Sequence, residues 1–210
     1  MELYTMSAWQ VMVASGPMVW PILACSIFAV AIVTEKLLYL SRIELDTGEF
    51  LNSILEKMKR HQIKEAIQVC DSAKAPLSQI LKAGILKYDR SRPQIKEAIE
   101  DASLYEIPRL EKNLPALATI AYVAPLLGLL GTVIGMVKCF RIIQLNGLIA
   151  RPVAAADLSG GIWQALLATV AGLAVAIPAY VAYNYLVSRV NNYILELEKA
   201  STELVNFLTE

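Results

Sequence analysis

Thirty-one consecutive residues near the end of the chain, Leu158 to Ser188, contain no Asp, Glu, Lys, Arg or His. No other feature narrows the fold as much. As a helix rising 1.5 Å per residue, the stretch reaches roughly 45 Å. The hydrocarbon core of a bilayer is crossed by about 20 apolar residues. This helix can therefore cross a membrane and still project beyond it. Within it, Ala165, Ala168, Gly172, Ala176 and Ala179 recur at spacings of three or four, and Thr169 lies beside the row.

Two further runs lack charged side chains, Thr5 to Thr34 and Asn113 to Val137. Each exceeds the length of an ordinary buried core helix. With 56% hydrophobic residues concentrated in three runs and only 18% charged, the chain reads as an all-α polytopic membrane protein rather than one or two soluble domains. The formal net charge is zero, so bulk charge points to no nucleic-acid partner. Cys25, Cys70 and Cys139 are isolated and His61 is the single histidine. No zinc-ligand spacing or disulfide framework follows from them. Cys25 and Cys139 fall in or beside apolar runs and suit small apolar packing. The start, Met1-Glu2-Leu3, lacks the basic region of a cleavable signal peptide, so the first run is expected to be retained as a membrane helix.

Taken in order, residues 1–16 form an amphipathic segment with Leu3, Tyr4, Met6, Trp9 and Met12, ending at the Gly16-Pro17 bend. The first spanning helix is expected at 17–40, anchored by Trp20 and Tyr39 near its ends. Glu35 would be solvated at the membrane edge, or functional there, and Lys36 would extend its amine towards water. Residues 41–112 hold thirteen of the nineteen Lys and Arg residues and twelve Asp or Glu. Their apolar residues recur at helical spacing: Phe50, Ile54, Met58, Ile63 and Ile67 over Glu49 to Ser72; Leu77, Ile80, Leu81 and Ile85 over Leu77 to Lys87; Ile95, Ile99 and Leu104 over Gln94 to Glu111. Ser91 is a candidate N-cap, with Pro93 in the first turn. Pro108 is expected to kink or restart the last of these helices. This is a helical domain rather than a linker. Spanning helices follow at 113–143 and 158–188, separated by a connector at 144–157. A helical tail at 189–210 has Val190, Ile194, Leu197, Ser201, Leu204 and Leu208 on its less polar face.

Charge sets the expected orientation. Arg42, Arg109 and Lys112 lie close to the membrane ends of the 41–112 domain, which is therefore read as cytoplasmic. The 144–157 connector carries only Arg151 and Asp157. The N-terminus is then periplasmic and the C-terminus cytoplasmic. Lys138 and Arg141 run against this count and suit ion access or headgroup contact.

The second long run has its own row of small residues, Ala121, Ala124, Gly128, Gly131 and Gly135, with Thr132 adjacent. Small residues let membrane helices approach closely. Neither this run nor the third contains a carboxylate. A threonine can bond its own helix backbone. Two of them, one per small-residue helix, make a shared pore surface, where they could orient water or donate to a protonatable group. An alcohol does not titrate at physiological pH, so it is no proton carrier; an intramembrane carboxylate is far better suited. If protons cross here, the acid comes from another polypeptide. No acid/base, nucleophile or metal constellation suggests an enzyme.

Two stretches carry a resemblance. Residues 124–136 read Ala-Pro-Leu-Leu-Gly-Leu-Leu-Gly-Thr-Val-Ile-Gly-Met. Residues 161–169 read Gly-Ile-Trp-Gln-Ala-Leu-Leu-Ala-Thr, followed by Gly172-Leu173, Ala176-Ile177-Pro178 and Tyr183-Asn184. With three spans and a large insertion between the first two, the chain resembles the MotA/TolQ/ExbB proton-channel family, most closely its ExbB/TolQ branch. The resemblance implies a homopentamer in the inner membrane of a Gram-negative bacterium. Its second and third helices would line a lumen, and single-span helices of an ExbD/TolR-like partner would supply the essential aspartate. Thr132 and Thr169 match the family's threonines. Gln164 stands where many relatives have glutamate, which removes a titratable group and leaves a polar lumen-lining role. Gly128, Gly131, Gly135, Ala165, Gly172, Ala176 and Pro178 are the close-packing residues. The implied coupling ion is the proton, with no cofactor, no metal and no catalytic residue. The work would pass to a TonB-like protein for outer-membrane nutrient import, or to a TolA-like protein for envelope constriction and integrity. The rival from another class is a non-conducting membrane scaffold whose small stripes only pack subunits.

Overall fold

The computed structural model describes residues 16–43, 46–73, 75–148 and 152–209. The amphipathic segment expected before Gly16, and Arg151 of the connector, lie outside them. Among the described residues seven helices follow one another: α1 (Val19–Ile43), α2 (Thr47–Lys59), α3 (Ile63–Ser72), α4 (Pro76–Ile85), α5 (Arg92–Glu111), α6 (Leu114–Leu148) and α7 (Ala155–Thr209). Helices α1, α6 and α7 are long and apolar enough to cross a membrane, with the shorter helices between the first two. The chain divides into two compact units. One holds the described parts of residues 1–34 and 114–184, the other 35–113 and 185–209.

In the first unit the core between the two long apolar helices is built mostly from small residues. The buried stripe of α6 is Leu114, Leu117, Ala121, Ala124, Gly128, Gly131, Gly135 and Cys139. That of α7 includes Ala165, Ala168, Gly172, Ala176 and Ala179. The outward residues are large and apolar: Leu126, Leu129, Val133 and Phe140 on α6, with Leu166, Val170 and Ile177 on α7. This inverts a water-soluble protein, and it suits lipid, where packing rather than water exclusion joins helices. Pro125 and Pro178 lie inside α6 and α7 without ending them. The third run and the tail, expected as separate segments, are one 55-residue helix.

The second unit has a conventional apolar core. Leu77, Ile80, Leu81 and Ile85 of α4 are fully buried, together with Ile54, Ile95, Leu110, Leu186 and Leu204. Burial pushes the Cys70 thiol of α3 up to about 11, so it is a packing residue with little thiolate at neutral pH. At the start of α5, Ser91 takes the N-cap position anticipated for it, and Gln94 Oε1 accepts from the Ser91 backbone N–H at 3.3 Å and from its hydroxyl at 3.2 Å.

Three expectations change here. Glu49 to Ser72 is not one helix; it breaks at His61, which adopts φ 57°. The Gln62 N–H bonds the Lys57 carbonyl and the His61 N–H bonds the Met58 carbonyl, each at 3.0 Å, a Schellman stop with histidine in the left-handed position. Helix α5 continues through Pro108 without restarting, and the chain turns at Asn113, φ 69°. Asparagine tolerates that conformation better than most residues.

The third change concerns Lys36. Its side chain is 2% exposed and does not reach for water. Its Nζ donates to the carbonyls of Leu110 at 3.0 Å and Arg109 at 3.4 Å, and lies 5.4 Å from the Tyr39 ring centroid. Those carbonyls end α5, where the helix dipole favours a cation. The preceding Glu35 accepts from Asn113 Nδ2 at 2.6 Å. Two consecutive residues of α1 thus hold the corner that closes α5. Lys36→Met is expected to destabilise the protein by about 1.5–3 kcal/mol, the range for hydrogen bonds to a charged group. Thermal unfolding of the purified protein reads this out, and an unchanged melting temperature would refute the clamp.

Candidate functional site

The site is built on the seam between α6 and α7. A Cβ added to Gly128 would meet the Ala168 carbonyl oxygen at 3.0 Å and Thr169 Cα at 3.1 Å. One added to Gly135 would meet the Gly161 carbonyl at 2.7 Å. One added to Gly172 would meet the Ala124 carbonyl at 2.6 Å and Gly128 Cα at 3.0 Å. Residue numbers rise on one helix as they fall on the other, so the two run antiparallel with backbones touching. Ala165, Ala168 and Ala176 complete the seam. Pro178, grouped with these residues by its motif, is exposed and lies outside the seam. Ala176 and Ala179 take the inward positions around it.

Each threonine follows a seam residue by one position: Thr132 after Gly131, Thr169 after Ala168. On antiparallel right-handed helices, the positions one step beyond the seam fall on the same side of the pair. The tyrosines that follow Ala121 and Ala179 bear this out, since Tyr122 and Tyr180 pack edge to face with centroids 6.3 Å apart. The hydroxyls agree independently. Thr132 Oγ1 donates to the Leu129 carbonyl at 2.6 Å and Thr169 Oγ1 to the Gly128 carbonyl at 3.2 Å. Two consecutive carbonyls of α6 therefore hold the two hydroxyls on one face.

Both hydroxyls spend their proton on a backbone carbonyl. What each presents outward is an acceptor lone pair. The pair is thus arranged to accept a hydrogen bond from a neutral acid. To donate to a carboxylate, each hydroxyl must first release its carbonyl.

Gln164 does not join the threonines. It precedes Ala165 by one position, as Lys138 precedes Cys139, which puts both on the opposite flank of the seam. There Lys138 Nζ donates to Gln164 Oε1 at 2.8 Å. Gly16 sits against the same amide, and Met18 lies near Gly131, so the turn that leads into α1 covers this flank. Lys138 engages a neighbouring helix, and Arg141 remains exposed. Sequence reasoning missed the tyrosine pair. Its signal was present, because Tyr122 and Tyr180 hold the same step from the small-residue rows as the threonines.

Among the described residues, no group of three or more His, Cys, Asp or Glu side chains is placed to hold a metal ion. The profile of the MotA/TolQ/ExbB proton channel family matches residues 72–199, which include all of the seam on α6 and α7. The chain belongs to that family. It is therefore a multi-pass helical membrane protein of a channel family and not an enzyme. It is 32% identical over 186 residues to an ExbB homolog, named for biopolymer transport, from Methanothermobacter thermautotrophicus, covering 88% of this chain and 64% of that protein. It is 31% identical over 172 residues to the biopolymer transport protein ExbB of Neisseria meningitidis serogroup B, covering 74% of this chain and 76% of the relative. It is 39% identical over 124 residues to the Tol-Pal system protein TolQ of Haemophilus influenzae, covering 54% and 53%. The chain thus spans just under two thirds of the first relative's length and about half of the TolQ protein's.

Proposed function

We propose that this chain is the ring-forming subunit of an ExbB-type stator. Five copies surround a lumen in the inner membrane of a Gram-negative bacterium, with N-termini periplasmic and C-termini cytoplasmic. The spans are 17–40, 113–143 and 158–188, and residues 41–112 with 189–210 form the cytoplasmic body. The threonine faces turn inward on single-span helices of an ExbD/TolR-like partner that carries an intramembrane aspartate. The observation that carries this reading is the threonine pair: two hydroxyls on one face of a hairpin whose family moves protons, with no acid of their own beside them.

The chemistry follows from the committed hydroxyl protons. A protonated partner aspartate can donate to the outward lone pairs and rest against the threonine face. Once ionised it has nothing to donate, and the hydroxyls must leave their carbonyls to serve it. The face therefore discriminates between the two protonation states, and alternation between them becomes relative movement of the inner helices. A membrane potential of 100 mV contributes about 2.3 kcal/mol per elementary charge, so a few inward proton transfers can drive a conformational cycle. The work passes to a TonB-like protein for outer-membrane nutrient import. The Haemophilus influenzae relative, named for the Tol-Pal system, favours a second reading in which a TolA-like protein receives it. Co-purification with one or the other transmitter separates the two.

Vesicles carrying the chain alone, or with its acidic single-span partner, test the stator. Proton uptake is expected only with the partner, and is lost when the partner's aspartate becomes asparagine. Proton uptake by the chain alone would overturn the proposal. So would its absence in the complete complex, which is the result a non-conducting scaffold gives.

A further inference from the structure

The threonine face continues past the threonines. On α6 the positions one step beyond the seam run Thr132, Leu129, Pro125, Tyr122, and on α7 they run Thr169, Leu173, Ile177, Tyr180. Tyr122 and Tyr180 stand ten and eleven residues from the threonines, a rise of about 15–17 Å. Between the two levels the face is apolar. Leu129, Leu173 and Ile177 are exposed and Pro125 is half-buried. A hydrogen bond spans about 3 Å, so no single one bridges this band. Polar character returns with Tyr122 and Tyr180, which are 61% and 46% exposed, and with Asn184, exposed one turn beyond Tyr180.

The two levels also differ in chemistry. Both threonine hydroxyls are committed to backbone carbonyls. A phenol oxygen stands at the far end of a rigid ring, out of reach of its own helix turn, and keeps its donor and its lone pairs for other groups. The two rings hold each other edge to face, with 65° between their planes, so the position of each is fixed across the helix pair. A donor and an acceptor on one atom are what a proton relay uses. The oxygen takes one proton on a lone pair as it releases the other, and ends neutral.

We propose that Tyr122 and Tyr180 form a second hydrogen-bonding station on the proton path, which holds water on the cytoplasmic side of the apolar band and carries away the proton that the partner's acid releases. This rests on the stator reading above and gives the path its exit. The acid's O–H bond breaks and its proton passes to water. That water gives a proton to a phenol oxygen, whose own hydroxyl proton leaves to the next water beside Asn184. No electron moves, and each tyrosine is restored after every passage. The apolar band keeps water from the threonine level while the neutral acid rests there, and movement of the inner helices opens it.

The test is Tyr122→Phe with Tyr180→Phe, in vesicles carrying the chain and its acidic single-span partner. Phenylalanine keeps the ring contact and deletes only the hydroxyls. Melting temperature and the yield of assembled complex are expected to match the parent, while inward proton flux falls at least tenfold. Tyr122→Gln in the Tyr180→Phe background returns a donor and an acceptor to the face, and is expected to restore a measurable part of the flux. Parental flux in the double phenylalanine variant, in a complex that still loses it when the partner's aspartate becomes asparagine, overturns the tyrosine station and leaves the stator standing. No flux in the parent complex overturns both. Poor assembly of the double phenylalanine variant, or a flux that glutamine leaves at the phenylalanine level, makes the pair a packing contact or an interfacial anchor and overturns the relay.

Discussion

Gly172→Val is expected to abolish the α6–α7 hairpin and with it all assembly. Even the first carbon of the new side chain would lie 2.6 Å from the Ala124 carbonyl oxygen and 3.0 Å from Gly128 Cα. Both obstacles are backbone, so no rotamer change relieves them. Overpacking a core where side chains can shift costs about 1–3 kcal/mol; here a whole helix must retreat, and the expected loss exceeds ~3 kcal/mol. Retreat also separates the other seam contacts, because Gly128 and Gly135 depend on the same approach. Gly160→Val is the control. A Cβ at Gly160 meets nothing within 4 Å, and its melting temperature is expected to stay within a degree or two of the parent. The measurement is thermal unfolding and the yield of assembled complex in detergent. A Gly172→Val protein that assembles and melts like the parent would remove the basis of the seam.

The second large effect belongs to the threonines. The double variant Thr132→Val, Thr169→Val keeps the side-chain shape and deletes both hydroxyls. Stability should hardly move. Thr132 bonds only its own helix, and an interhelical hydrogen bond such as that of Thr169 is worth on average about 0.6 kcal/mol in a membrane protein. Coupled work is expected to fall at least tenfold, equivalent to about 1.4 kcal/mol, because a protonated partner acid then has no acceptor on the face. Thr132→Ser with Thr169→Ser should restore much of it, since serine keeps the lone pairs. Reconstituted vesicles with the acidic partner report both proton flux and work. Normal coupling in the double valine variant would end the proposed role of the pair.

The three spanning helices were legible because a charge-free run of that length has few alternatives in any solvent. The seam was legible for a related reason: Gly and Ala at spacings of three and four mark a close approach whichever partner arrives. Gln164 lies on the other flank of the seam from Thr169, and the spacing alone shows it. Five positions on a helix is about 140° of rotation, too far for one narrow face. The bond from Lys138 gave no such signal, since it joins residues on different helices. Lys36 was misread because the carbonyls it serves lie more than seventy residues away in sequence. The break at His61 has neither Gly nor Pro to announce it. The Schellman bonds form around a histidine that sequence rules would leave inside a helix.

The α6–α7 seam has one further consequence. Glycine and alanine lose no side-chain rotamer entropy on burial, so closing this interface orders the backbone and few side chains. In the stator proposed above, such a part confines motion to the faces the hairpin presents and keeps the spacing of the two threonines.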